Sequence, residues 1–191
     1  MPETKTRNTR LQTATLAGGC FWCTEAIFRR LKGVGHVLPG YSGGLMKNPR
    51  SDDIYSGKTG HAEAIQITFD PTKISYEKLL EIFFHLHDPT TVNSQGNDVG
   101  TQYRSIIFTH DKNQERIAEK SIEALNASRE FSSPIVTQVV PFSAFYEAED
   151  YHRQYYEKNS YQPYCQVIID PKLKKLFKEY KVYVREDSYR S

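Results

Sequence analysis

The stretch QTATLAGGCFWCTEAIFRRL, residues 12–31, passes from one kind of local structure to another across a double glycine. Residues 12–17 alternate loosely between apolar and polar and read as a strand. Gly18-Gly19 breaks that pattern, and residues 21–31 read as a helix closed by Gly33. Working outward, residues 34–38 form a second expected strand ending at Pro39-Gly40, and residues 41–60 are polar enough to read as loop. AEAIQITF, Ala62–Phe69, is a strand stopped by Asp70-Pro71. Ser75 can cap a helix whose apolar face carries Tyr76, Leu79, Leu80 and Phe83, ending at Asp88-Pro89. Residues 90–102 are a long polar loop, which in a compact domain is usually functional or disordered. Residues 103–108 are expected as a strand, 113–126 as a helix, 135–140 as a strand and 142–159 as a helix.

The first six elements run strand, helix, strand, strand, helix, strand. That order predicts an α+β fold, a split βαβ sandwich with its helices on one sheet face, extended by C-terminal helix and loop segments. Its length of 191 residues fits one domain. Residues 1–11 are expected as a flexible N-terminal segment and residues 12–191 as a single domain including the C-terminal tail. Hydrophobic residues make up 38% and mean hydropathy is −0.62, which still favours a folded chain. The net charge is +2, from 25 basic and 23 acidic residues. This gives no argument for a nucleic-acid or membrane partner. The basic residues from Lys172 to Lys181 alternate with Leu and Phe and read as a solvated helix face. No run approaches the ~20 apolar residues of a membrane span. The first ten residues lack the apolar middle of a secretion signal, so the expected compartment is the cytoplasm.

Three cysteines are an odd number and do not make a closed disulfide framework. Cys20 sits where the first strand meets a helix start. Free backbone N–H groups and the helix dipole should lower its pKa there. Cys20-x-x-Cys23 is the spacing of a thiol–disulfide pair, and it is also half of a zinc site. The other half is missing: Cys165 stands alone, and the histidines at 36, 61, 85, 87, 110 and 152 supply no closely spaced ligand pair. A buried structural cysteine is the competing reading of Cys20.

Gly19-Cys20-Phe21-Trp22 resembles the signature of the peptide methionine sulfoxide reductases, class A. Four further ordered segments resemble that family. They are Gly40-Tyr41-Ser42-Gly43-Gly44, and Thr59-Gly60-His61-Ala62-Glu63 with Phe69-Asp70-Pro71. Then come His87-Asp88-Pro89-Thr90-Thr91 with Gln95-Gly96-Asn97-Asp98 and Gly100-Thr101-Gln102-Tyr103-Arg104-Ser105. The last is Phe145-Tyr146-Glu147-Ala148-Glu149 with Tyr151-His152. The resemblance covers residues 14–170 and implies a ferredoxin-like α/β plait, in agreement with the element order.

The resemblance implies reduction of methionine S-sulfoxide, peptide-bound or free, by a monomer that uses thioredoxin and no bound cofactor, in the repair of oxidised proteins. Sulfoxide reduction needs a nucleophile on sulfur, a proton for the departing oxygen, hydrogen-bond donors to that oxygen and an apolar seat for the methyl group. By resemblance, Cys20 is the nucleophile and becomes a sulfenic acid. Glu63 is the acid, usable at neutral pH if burial raises its pKa. Glu25 is the competing carboxyl, read as an ordinary first-turn helix charge. Tyr41 and Tyr103 resemble the hydroxyl donors, Phe21 and Trp22 the walls around the methyl group, and Asp98 a substrate-positioning residue. Cys165, expected in a mobile loop, resembles the resolving thiol, with Cys23 as backup or third member of a relay. Two other readings stay open: a general disulfide oxidoreductase using Cys20 and Cys23, and a non-catalytic module that binds a Met-like side chain.

Overall fold

The computed structural model describes residues 10–189. The flexibility expected of the N-terminal segment concerns residues that lie, up to residue 9, outside the described ones. Strand β1, Gln12–Ala17, leads through the two glycines to helix α1, Phe21–Phe28. Strand β2, Val34–Ser42, runs beyond the expected end at residue 38. It is held over its whole length by pairing with β3, Ala62–Phe69, from Val34 opposite Phe69 to Ser42 opposite Ala62. Between them a short helix α2, Ser51–Tyr55, occupies part of the expected loop, with the Arg50 backbone N–H donating to Asp53.

Helix α3, Tyr76–Leu86, begins where Ser75 Oγ accepts the Lys78 amide at 3.1 Å. The polar segment after it folds into a small hairpin of β4, Ser94–Gln95, and β5, Asp98–Val99. Strand β6 is Ile106–Thr109, shorter than expected, because Thr101–Tyr103 is a 3-10 turn. Helix α4, Lys112–Ser128, is capped by Asp111, whose carboxylate accepts the Gln114 amide. Strand β7 is Gln138–Pro141.

The expected helix over residues 142–159 does not form. Its first part is strand β8, Phe145–Glu147, which pairs with the edge of β2, Tyr146 opposite Tyr41. A 3-10 turn, Asp150–His152, and the short helix α5, Tyr155–Asn159, follow. A helical propensity in this aromatic and acidic stretch loses to a non-local strand partner, as tertiary context commonly dictates. Residues 165–169 are a π-helical turn that runs into helix α6, Asp170–Glu179. The basic face of α6 is exposed as expected, while Leu173 and Leu176 are buried.

The sheet order is β7-β6-β1-β3-β2-β8. Its inner four strands are mutually antiparallel in the order β6-β1-β3-β2, which is the arrangement a split βαβ sandwich requires. β7 adds in parallel to β6, and β8 adds antiparallel to β2. Alternation along the strands divides two packed faces. Leu16, Ile65, Ile67, Phe69 and Ile107 pack with α1, α3 and α6 in the main core. Ala17, Ala62, Ala64, Ile106 and Phe108 make the other face, covered by Phe142 and Phe145. α1 is buried on nearly every side, so the position of its N-terminus is set by the core.

Candidate active site

The strand-to-helix turn brings Cys20 to the N-cap of α1, with extended backbone angles of −61° and 127°. Gly19 just before it has φ +84°, and an added Cβ would lie 2.6 Å from Gln95 Cγ. Only glycine fits there, so the β4–β5 hairpin closes directly over the turn. Cys20 is 8% exposed and Cys23 is 2% exposed.

Glu63 lies on the helix-facing side of β3, directly opposite Tyr41 in the strand register. It is 3% exposed, and its Oε2 accepts the Phe21 amide at 3.0 Å. Burial is the largest influence on its carboxyl and raises it from 4.5 to about 8, with Asp98 and Cys23 adding and the Phe21 amide opposing. A carboxyl so placed holds its proton at neutral pH, which is what a general acid needs.

The expected lowering of the Cys20 pKa is not found. Burial pushes its thiol well above the usual range, and the Cys23 thiol and Glu63 add to this. No side chain caps the helix, and Glu63 takes the Phe21 N–H at its first position. The Cys23 thiol moves down, chiefly through its hydrogen bond with Cys20. The two thiols therefore act on each other's titration, and Cys20 is the one that keeps its proton.

A cavity of about 380 Å³ opens beside this pair, lined among others by Cys20, Cys23, Asp98, Tyr164, Ile168 and Lys172. Asp98 accepts the Tyr164 hydroxyl at 2.7 Å, and that hydroxyl is 3.8 Å from Cys23 Sγ. Tyr164 stays a phenol at any working pH, pushed far up by burial and by the two thiols.

Tyr41 takes a different place from the one expected. Its side chain is 1% exposed, and its hydroxyl donates to Glu149 Oε2 at 3.1 Å and lies 2.9 Å from Ser51 Oγ. It belongs to a buried network. Glu149 also accepts the Ser51 amide and hydroxyl, both at 2.9 Å. Burial alone would raise the Glu149 carboxyl, but these donors hold it down to about 2. The Trp22 indole N–H donates to His152 Nδ1 at 3.0 Å. The neutral ring then carries its proton on Nε2 and donates it to Ser51 Oγ at 2.8 Å. Tyr41 therefore braces the site from behind, and its one proton is not free for a ligand. Tyr103 is half-buried, and burial, followed by the charges of Glu63 and Cys20, pushes its hydroxyl up so that it stays protonated.

Phe21 is buried, with its ring 4.9 Å from His152 and 5.7 Å from Tyr41. Trp22 is half-buried and stacks on Tyr155 at 3.6 Å with 5° between the rings. Neither lines the cavity beside Cys23, although the Trp22 ring meets Tyr164 edge-on at 5.8 Å. Cys165 is fully buried in the π-helical turn, not in a loop as expected. The packing of 165–169 against α1 imposes helical structure on a segment whose pattern is untidy. Burial raises its thiol, and Cys23 is the next influence on it. Glu25 also departs from expectation. It is 2% exposed, both its oxygens accept the Gln154 amide, and burial raises it to about 7. Gln154 sits at φ 55°, so this carboxyl anchors a left-handed turn away from the thiol pair.

Ser51, Glu149, His152, Tyr155 and Tyr164 shape the site without having been assigned a role from sequence. Glu149 and His152 stand in a segment that carried the family resemblance, which was their only signal; Ser51 carried none. Among the described residues no group of three or more His, Cys, Asp or Glu side chains is arranged to hold a metal ion. No described helix is long and apolar enough to cross a membrane.

A buried Cys-x-x-Cys pair at a helix start, with a neutral buried carboxylic acid against the same helix, defines a thiol-dependent reductase on an α/β plait. The family model described as "Peptide methionine sulfoxide reductase" matches residues 12–183, and the chain belongs to that family. It is 56% identical over 170 residues to a peptide methionine sulfoxide reductase of Sulfolobus acidocaldarius, covering 89% of this chain and 96% of the relative. Methionine sulfoxide reductase A of Corynebacterium diphtheriae superposes with a TM-score of 0.76 at 32% identity, over 83% of this chain and 80% of that one. Mxr1 of Saccharomyces cerevisiae in complex with Trx2 superposes with a TM-score of 0.52 at 25% identity, over 80% and 90% of the two chains.

Proposed function

We propose that this chain is a peptide-methionine (S)-S-oxide reductase, acting on peptide-bound and free methionine S-sulfoxide as a cytoplasmic monomer in protein repair. The observation that carries this is the buried Glu63 carboxyl, raised to about 8 and seated on the Phe21 amide beside the Cys20 thiol. Breaking an S–O bond needs a proton on the departing oxygen, a stronger demand for an acid than disulfide exchange makes, because exchange expels a thiolate.

Cys20 Sγ attacks the sulfoxide sulfur while Glu63 lends its proton to the oxygen. The attack forms an Sγ–S bond; the protonated oxygen leaves the methionine sulfur and is taken up on Cys20 Sγ as that Sγ–S bond breaks, so the sulfide leaves as methionine with two electrons from Cys20, which is left as a sulfenic acid. The proton lost by the Cys20 thiol restores Glu63. A second thiol then attacks the sulfenic sulfur, water leaves, and a disulfide forms. Cys23 is the first candidate for that thiol, because it already shares a hydrogen bond with Cys20 and lies three residues on in the same helix. Cys165, whose thiol feels Cys23, then takes over the disulfide by exchange. π-helical turns are frequent at functional sites, and Cys165 stands at the head of one. A thioredoxin dithiol returns both cysteines to thiols and is itself oxidised. The yeast relative captured with Trx2 supports that reductant, and no bound cofactor is needed for this electron balance. Asp98 holds Tyr164 over the thiol pair, and Trp22 with Phe21 forms the apolar flank for the methyl group.

The test is a single turnover without reductant. Pre-reduced protein should form one methionine per chain from excess sulfoxide, while two of its three thiols disappear. Thiol loss without methionine would overturn the reading.

A further inference from the structure

The reaction needs hydroxyls on the sulfoxide oxygen, and Tyr41 cannot supply one because its proton is committed to Glu149. We propose that Tyr55 fills that place, and that Tyr55 and Tyr103 are the pair of phenols that bind the sulfoxide oxygen between Cys20 and Glu63. This rests on the sulfoxide-reductase reading and names a further catalytic residue for it.

Three observations carry it. The first is helical geometry. Tyr55 is the last residue of α2 and lies four residues after Ser51, hence on the same face of that helix. The Ser51 side chain points inward to Glu149, His152 and Tyr41, and Tyr151 reaches over to donate to it at 2.9 Å. Tyr55 continues that face one turn further. The charges that reach its hydroxyl are those of Glu63, Cys20, Tyr151 and Glu149.

The second is tethering. Thr101 Oγ1 donates to the Gly57 carbonyl at 3.5 Å, and the Arg104 guanidinium donates to the Gly60 carbonyl at 2.9 Å. The chain just after Tyr55 is thus tied on both sides to the turn that presents Tyr103.

The third is availability. Tyr55 is 52% exposed and Tyr103 is half-buried, so both stand where a ligand enters. No hydrogen bond contributes to the environment of either hydroxyl, in contrast to Tyr41 and Tyr164. Burial and the nearby carboxyl and thiol raise Tyr55 to about 12, so it remains a donor throughout the working range. Two unpaired phenols at the edge of an otherwise satisfied network are what a bound S–O oxygen would complete.

The experiment is single-turnover formation of methionine by pre-reduced full-length protein, for the wild type, Tyr55→Phe, Tyr103→Phe and the double variant, with Tm measured for each. Removing one preorganised donor to a developing oxyanion typically costs ~10²–10³-fold, and shared donation makes each single loss smaller. Tyr55→Phe is expected to slow the rate at saturating sulfoxide by about 10-fold or more, with Tm and pH profile unchanged, and the double variant should fall further. Because half of the ring is exposed, Phe should fold at that position; Tyr55→Leu at wild-type Tm and the same reduced rate would confirm loss of the hydroxyl rather than a change in packing. A wild-type rate in Tyr55→Phe overturns the proposal while leaving the reductase reading intact. No methionine from the wild type overturns the reductase reading itself.

Discussion

Replacing Glu63 by Gln should make the protein more stable and nearly inactive, and the size of the stability gain should depend on pH. The carboxyl is 3% exposed and its pKa rises from 4.5 to about 8. Between those values the folded chain keeps a proton that the unfolded chain has lost. Stability therefore falls as pH rises through that window and levels off above it. Each pH step costs ~1.4 kcal/mol. The wild type at pH 7 should have lost about 3 kcal/mol, and at pH 8.5 about 4 kcal/mol, relative to pH 4.5. Gln is neutral, nearly isosteric, and its carbonyl can still accept the Phe21 amide, so the variant escapes this loss. At roughly 2–4 °C per kcal/mol for a domain of this size, Glu63→Gln should melt about 6–12 °C above wild type at pH 7 and close to it at pH 5. Single-turnover sulfoxide reduction should fall ~10²–10⁴-fold, the usual worth of a general acid. Thermal unfolding from pH 5 to 8.5 with parallel rate measurements checks both. A Tm difference between the two proteins that does not change with pH would refute the argument, because Glu63 would then titrate alike in the folded and unfolded chains.

Cys20→Ser should abolish methionine formation, since no other group can reach the sulfoxide sulfur; turnover clearly above background would remove Cys20 from its role. Both Cys23→Ser and Cys165→Ser should still release about one methionine per chain. Mass spectrometry should then show a trapped Cys20 sulfenic acid in the first and a Cys20–Cys23 disulfide in the second; a Cys20–Cys165 disulfide in Cys23→Ser at the wild-type rate would show that Cys165 resolves directly. Gly19→Ala forces a side chain onto φ +84° and into Gln95; it should lower stability by about 1–3 kcal/mol and slow the sulfoxide step, whereas a wild-type melting curve would show that the hairpin can shift at no cost.

What local pattern could decide was legible beforehand. The strand Ala62–Phe69 reappears with the same bounds, and Ser75 caps the helix that buries Tyr76, Leu79, Leu80 and Phe83. The order of the first six elements implied the strand order that forms. Where pairing is non-local, the pattern misled. Phe145–Glu147 becomes a strand because β2 offers it an edge more than a hundred residues away. Cys165 is buried because its segment packs on α1, and nothing in Gln162-Pro163-Tyr164 announces that partner. The same limit divided the site. Cys20 and Glu63 belong to segments whose neighbours in sequence indicate their chemistry. The direction of the Tyr41 hydroxyl is set by Glu149 and Ser51, and the proton on Cys20 by burial that a helix start alone does not reveal.

Steady-state turnover with thioredoxin, its reductase and NADPH, offered the two epimers of methionine sulfoxide separately, tests the central claim most directly. The account predicts that NADPH is consumed in step with methionine formed from the S epimer, and that the R epimer is left unchanged. NADPH consumption on disulfide substrates, with no methionine from either epimer, would contradict it and leave Cys20 and Cys23 as a general thiol–disulfide couple.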